Sequence, residues 1–177
     1  MLSAILTYQG NEMMPILKEY GFKWIDNRFV YPINKRNLLN VEIDTRNKEL
    51  SITYSNQLGI QEYRKIHFLL SSIQDRLKGT IYDKNSLLGY TETGEPAYII
   101  TNWQKWYRFI QKAMLTSLSG KKVRVINESE VELASGLFVG YETSEYEDTI
   151  TKCTLVTLFG EKTFKGKDLK IEASNEW

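Results

Sequence analysis

The chain has one cysteine, one histidine and three prolines in 177 residues. A single thiol excludes an internal disulfide framework, and with only one imidazole beside it the ligands for a structural zinc site are missing. No apolar run approaches the roughly eighteen residues needed to read as a membrane-spanning helix. The opening stretch, residues 1–10, has no positive n-region and only a short apolar segment, so it does not read as a signal peptide. An excess of charge of one sign is also lacking. Lys and Arg number 23 against 22 Asp and Glu, and the net +1 supplies no strong field toward nucleic acid or membrane. Gly89-Tyr90-Thr91-Glu92-Thr93-Gly94 lacks the lysine and the strand-to-helix setting of a phosphate loop. These absences predict a soluble, cytoplasmic protein with no cofactor, no metal and no membrane partner.

What is present suits a folded chain: 42% hydrophobic and 25% charged residues fall in the globular range. Residues 11–20 read as a short helix with Asn11 as N-cap, Met13, Met14 and Leu17 inward, and Gly21 as its stop. Residues 22–25 and 28–33 flank Asp26-Asn27, a tight-hairpin signal. Val41 and Ile43 alternate with Glu42 and Asp44, and Leu50, Ile52 and Tyr54 with Ser51 and Thr53, which predicts two more strands of an antiparallel sheet. From Ile60 the period changes. Tyr63, Ile66, Leu70, Ile73 and Leu77 mark one side of a helix packed on that sheet. Residues 80–97 read as loop with a short hairpin. A second long helix begins near Asn102, with Trp103, Trp106, Tyr107, Ile110 and Met114 on its apolar side. After Gly120 the pattern is all strand, with alternation at 122–125 and 137–141, a Thr/Val/Leu-rich run at 150–159, and Phe164, Leu169 and Ile171 completing the set. The fold class is therefore α+β: an N-terminal antiparallel sheet with packed helices over 1–101, a connecting helix at 102–118, and a small all-β barrel with a short tail at 119–177.

From Trp103 onward the chain resembles the Sm-like or SH3-like small barrels. The layout that carries the resemblance is a helix, then Gly120-Lys121-Lys122-Val123-Arg124-Val125-Ile126, then Gly136-Leu137-Phe138-Val139-Gly140-Tyr141. It implies five bent strands; the loop residues that hold RNA bases in Sm proteins are absent, so base recognition is not carried over. At the front, Leu17-Lys18-Glu19-Tyr20-Gly21-Phe22-Lys23-Trp24 with Arg28-Phe29-Val30-Tyr31 is similar to a helix-plus-hairpin module of phage and mobile-element accessory proteins. That resemblance implies a phage or mobile-element origin, and with it action in a host cytoplasm.

The strongest local charge bias is cationic. Lys105, Arg108, Lys112, Lys121, Lys122 and Arg124 lie in a segment, 103–126, that contains no acid. Lys105, Arg108 and Lys112 recur at helical spacing, so they form one stripe that can neutralise phosphates. Glu142, Glu145, Glu147 and Asp148 gather in one predicted loop and suit a basic surface on a partner. The reading is a non-catalytic binding protein that engages nucleic acid or a host nucleoprotein, with inhibition of host defence in the manner of anti-CRISPR proteins as its concrete version. Two rivals differ in class. One is a metal-dependent nuclease built on Glu42 and Asp44, two apart on a strand and so on one face. The other is a virion or assembly protein whose barrel forms a homo-oligomer. His67 reads as a packing histidine on the long helix, and Cys153 as a small core residue.

Overall fold

The computed structural model describes residues 1–10, 13–144 and 149–174. The chain divides into two compact units, Met1–Tyr107 and Arg108–Trp177. The division falls inside a helix rather than at a linker. The protein is α+β, with three helices and antiparallel sheets among the described residues.

The first unit is built on β1 (Leu2–Thr7), β2 (Lys23–Ile25), β3 (Arg28–Pro32), β4 (Leu38–Asp44), β5 (Glu49–Tyr54) and β6 (Thr80–Tyr82), paired in the order β2-β3-β4-β5-β1-β6. Neighbouring alternations are in phase: Ala4 pairs with Ile52 and Ile52 with Val41, while Leu6 pairs with Leu50. One face is therefore apolar, and Ala4, Leu6, Leu39, Val41, Leu50, Ile52 and Tyr54 are all buried. The other face carries Ser3, Thr7, Asn40, Glu42, Ser51 and Thr53. The Asp26-Asn27 turn has positive φ at both residues (47° and 64°), the geometry that matches the twist of a two-residue hairpin.

Helix α1 (Met13–Glu19) and helix α2 (Ile60–Leu77) contact each other and bury their apolar sides in this unit. The five apolar residues foreseen on α2 are buried, and Tyr63 meets Tyr54 edge-on at 6.4 Å. The Glu62 carboxylate accepts the Gly59 amide at 2.7 Å, which satisfies a donor that the first turn of a helix leaves open. That bond, chiefly, holds the Glu62 carboxyl below its usual range. The N-cap proposed for α1, Asn11, lies outside the described residues. A two-stranded hairpin, β7 (Gly89–Tyr90) with β8 (Pro96–Ala97), precedes helix α3 (Trp103–Ser117).

The second unit takes its core from Leu115, Val123, Val125, Phe138, Ile150, Cys153, Leu155 and Leu169. Its strands β9 (Lys122–Ile126), β10 (Glu132–Thr143), β11 (Ile150–Thr157), β12 (Gly160–Lys165) and β13 (Lys170–Ala173) form one antiparallel sheet ordered β12-β11-β10-β9-β13. Register shifts along β10 after Glu132, Phe138 and Glu142 bend it as small barrels require. Gly136 lets β10 approach β11, since a methyl there would sit 2.5 Å from the Val156 carbonyl oxygen. Five antiparallel strands thus match the all-β expectation for this part of the chain, while the sheet ends at β12 and β13 and no pairing among the described residues closes it into the expected barrel.

Three local readings are corrected. Met14, read as inward on α1, is exposed, and Ile16 is buried with Met13 and Leu17. Leu115, not Met114, is the inward residue of the last turns of α3, and Met114 is exposed. The run 150–159 is not one strand: it stops at Thr157, and Leu158-Phe159 form the tip of the β11–β12 hairpin.

Candidate binding surface

The six cations singled out from the sequence do not share one environment. Lys105, on the first turn of α3, donates to Glu95 Oε2 at 2.9 Å, and that bond keeps the Glu95 carboxyl below its ordinary range. Arg124 on β9 grips Glu172 Oε2 through Nε and Nη2, at 3.1 and 2.7 Å. Both pairs are solvent-exposed and contribute little to stability, but each cancels a charge locally. Arg108, Lys112 and Lys121 are exposed and Lys122 is half-buried. These four belong to the second unit. That Glu95 and Glu172 pair with Lys105 and Arg124 was not visible in the sequence, because both acids stand outside the acid-free segment.

The aromatic residues at the start of α3 are packing groups rather than base platforms. Trp103, Trp106 and Tyr107 are buried. Trp103 stacks on His67 with ring centroids 4.7 Å apart, and His67 Nδ1–H donates to the Ile99 carbonyl at 2.7 Å. His67 is thus the packing histidine expected. Burial depresses its pKa below the ordinary 6.5, with the bond to Ile99 opposing in part. A depressed pKa means the unfolded chain takes up a proton that the folded one refuses. The stability tied to the neutral ring is whole above pH 6.5 and is lost as pH falls through the folded pKa. Thermal melts between about pH 7.5 and pH 5 should show Tm falling on the acid side, and His67→Gln should flatten that part of the decline.

The carboxylates of the nuclease alternative are not arranged for metal. Asp44 Oδ1 accepts the Arg46 and Asn47 amides at 2.9 and 3.1 Å, and Oδ2 accepts Asn47 Nδ2 at 2.9 Å. This is a side-chain turn that closes β4–β5, and the Asn47 amide, first, keeps the Asp44 carboxyl below its usual range. Glu42 stands opposite Ser51, and Asp44 opposite Glu49. Among the described residues no three His, Cys, Asp or Glu side chains converge as a cation site.

Of the acids expected in one loop, Glu142 instead lies within strand β10, opposite Lys152 on β11 and ion-paired to it at 2.6 Å. Glu145, Glu147 and Asp148 lie outside the described residues. Cys153 is fully buried, and burial pushes its thiol up to about 11, so it is no nucleophile at neutral pH.

Two features escaped the sequence reading. A concavity of about 660 Å³ opens on the polar face of the first unit, where Ile5, Ile81 and the rings of Tyr82 and Tyr98 line it together with Ser51 and Thr53. Its size suits a small ligand. Its one acid, Asp83, is already occupied by backbone amides. The second is the hairpin tip in the other unit, where Leu158 is 100% and Phe159 83% exposed. The strand-like composition of 150–159 masked it; the signal that could have shown it is Gly160, which follows the pair and sits at φ 92°.

No helix among the described residues is long and apolar enough to cross a membrane. No family model, no curated protein and no solved structure matches the chain.

Proposed function

We propose that the protein is a non-catalytic binding factor that engages nucleic acid, free or within a host nucleoprotein, through the cations of its second unit. The observation that carries this reading is the set Arg108, Lys112, Lys121 and Lys122, brought by α3 and the start of β9 from a stretch of 24 residues, 103–126, without one acid. Phosphates are the partners that a stretch rich in cations and without an acid of its own favours, and the contact would be made without chemistry on the nucleic acid. Lys105 and Arg124 are engaged by Glu95 and Glu172, and the test below leaves them unchanged. In its concrete form the protein is a phage or mobile-element factor that occludes a guide-bound defence complex in the host cytoplasm. Glu142 and the neighbouring acids would then meet basic protein surface beside the phosphates.

The test is a salt titration. Fluorescence anisotropy with single-stranded RNA and with duplex DNA, run between about 50 and 200 mM salt, reads both affinity and its salt slope. Changing Arg108, Lys112, Lys121 and Lys122 together to Gln should lower the slope by about 3, at 0.7–0.9 per phosphate contact. An unchanged slope and affinity would remove the surface from the account.

A further inference from the structure

The geometry points to a twofold dimer made by antiparallel pairing of β12 with β12 of a second copy, centred on Thr163. Strand β12 is one end of its sheet, six residues long, and all but Phe164 are exposed. A strand edge of that length offers a row of unpaired amides and carbonyls, which proteins ordinarily cover or break with proline. Residues 160–165 contain no proline, and among the described residues no strand pairs with this edge.

The side chains select the occupant. Cys153 and Leu155 point into the core, so Phe164 and Lys162 opposite them lie on the inner face. Glu161, Thr163 and Lys165 lie on the outer face, against Val156, Thr154 and Lys152. Within its own sheet, then, Glu161 faces an apolar residue and Lys165 faces a like charge. Among the described residues neither makes an ion pair. Across a twofold axis, outer-face residues must meet outer-face residues, because facing positions of a ladder share a side. The register centred on Lys162 would set that lysine against itself. The register centred on Thr163 sets Glu161 of each copy against Lys165 of the other, twice, and Lys162 against Phe164. The strand is thus complementary to itself in charge. The same register carries the Leu158-Phe159 tip onto residues 166–168 of the second copy. The Thr157–Gly160 turn does not depend on those two side chains, since its geometry is held by Thr157 Oγ1, which accepts from the Phe159 amide and donates to the Gly160 carbonyl.

The test is a charge swap on the full chain, followed by light scattering on a sizing column at about 0.1 mM. The unmodified protein should run at twice the 20.7 kDa of one chain. Lys165→Glu places like charges at both crossings and should run at the single-chain mass. The double variant Glu161→Lys with Lys165→Glu restores opposite charges and should regain the doubled mass. Leu158→Ser with Phe159→Ser should weaken the dimer by about tenfold, as loss of exposed apolar anchors does. All four substituted positions are exposed, and matching far-ultraviolet circular dichroism will show that each variant is folded. A single-chain mass for the unmodified protein overturns the proposal. So does a doubled mass that survives Lys165→Glu, or one that the double swap fails to restore.

Discussion

Asp83→Ala is expected to destabilise the first unit by about 4 kcal/mol, since charge-assisted bonds are worth about 1.5–3 kcal/mol each and a buried orphaned donor costs its desolvation. Asp83 is only 3% exposed. Its Oδ2 accepts the Ile100 and Thr101 amides at 2.8 and 2.7 Å, and Oδ1 accepts the Thr101 hydroxyl at 2.9 Å. Its backbone carbonyl takes the Ser86 amide and hydroxyl, and the Ser86 hydroxyl in turn receives the Ile99 amide at 3.1 Å. Residues 83–86 and 99–101 are therefore stapled by one carboxylate and one hydroxyl, in a segment with little regular structure to satisfy its own backbone. Alanine leaves two amides without an acceptor. Asp83→Asn keeps one carbonyl oxygen for both amides and should cost about half as much. Urea unfolding of the two variants checks the ordering. An alanine variant within about 1 kcal/mol of the parent would show that water replaces the carboxylate.

The second large effect belongs to Gly79. A Cβ built there would lie 1.9 Å from the Thr7 carbonyl oxygen and 3.1 Å from the Thr7 carbonyl carbon. No rotamer relieves a clash between a methyl and a backbone. The residue sits where α2 has ended, on Lys78 at φ 49°, and β6 is about to pair with β1. Thr7 Oγ1 also exchanges bonds with Thr80, accepting its amide at 3.2 Å and donating to its carbonyl at 3.3 Å. Gly79→Ala must push β6 off β1, and a cost of about 3 kcal/mol or more is expected, at or beyond the upper range for overpacking. Gly94 supplies the contrast. It adopts φ 81° in open space, so Gly94→Asn should cost under about 1 kcal/mol, as asparagine tolerates that conformation. Thermal and urea unfolding of both variants distinguish a close approach from a mere preference for glycine.

What could be read from the sequence was whatever depends on neighbours in the chain. The α2 stripe is local, and all five of its residues are buried as the period required. The Asp26-Asn27 hairpin is equally local. On α3 the period placed Met114 inward, but the core of the second unit takes up Leu115, one step round the helix. Strand β1 escaped notice for a different reason. Ala4, Leu6 and Tyr8 alternate as a strand should, but Ile5 interrupts the pattern because the opposite face also holds an apolar residue there. β6 is three residues long and carries no periodicity at all. The cationic segment was visible as composition; that Glu95 and Glu172 would fold back onto Lys105 and Arg124 was not, because ion pairs of that kind are set by tertiary approach.

The position of β1 has a kinetic corollary. Residues 2–7 lie between β5 and β6, so their amides and carbonyls await residues 49–54 on one side and 80–82 on the other. During synthesis this opening segment stays without its partners until most of the unit has left the ribosome, and every route to the native sheet must close those long loops. Assembly of the unit is thus gated by its earliest-made strand being the last to be flanked on both sides, which leaves an apolar ribbon in need of shelter while translation proceeds.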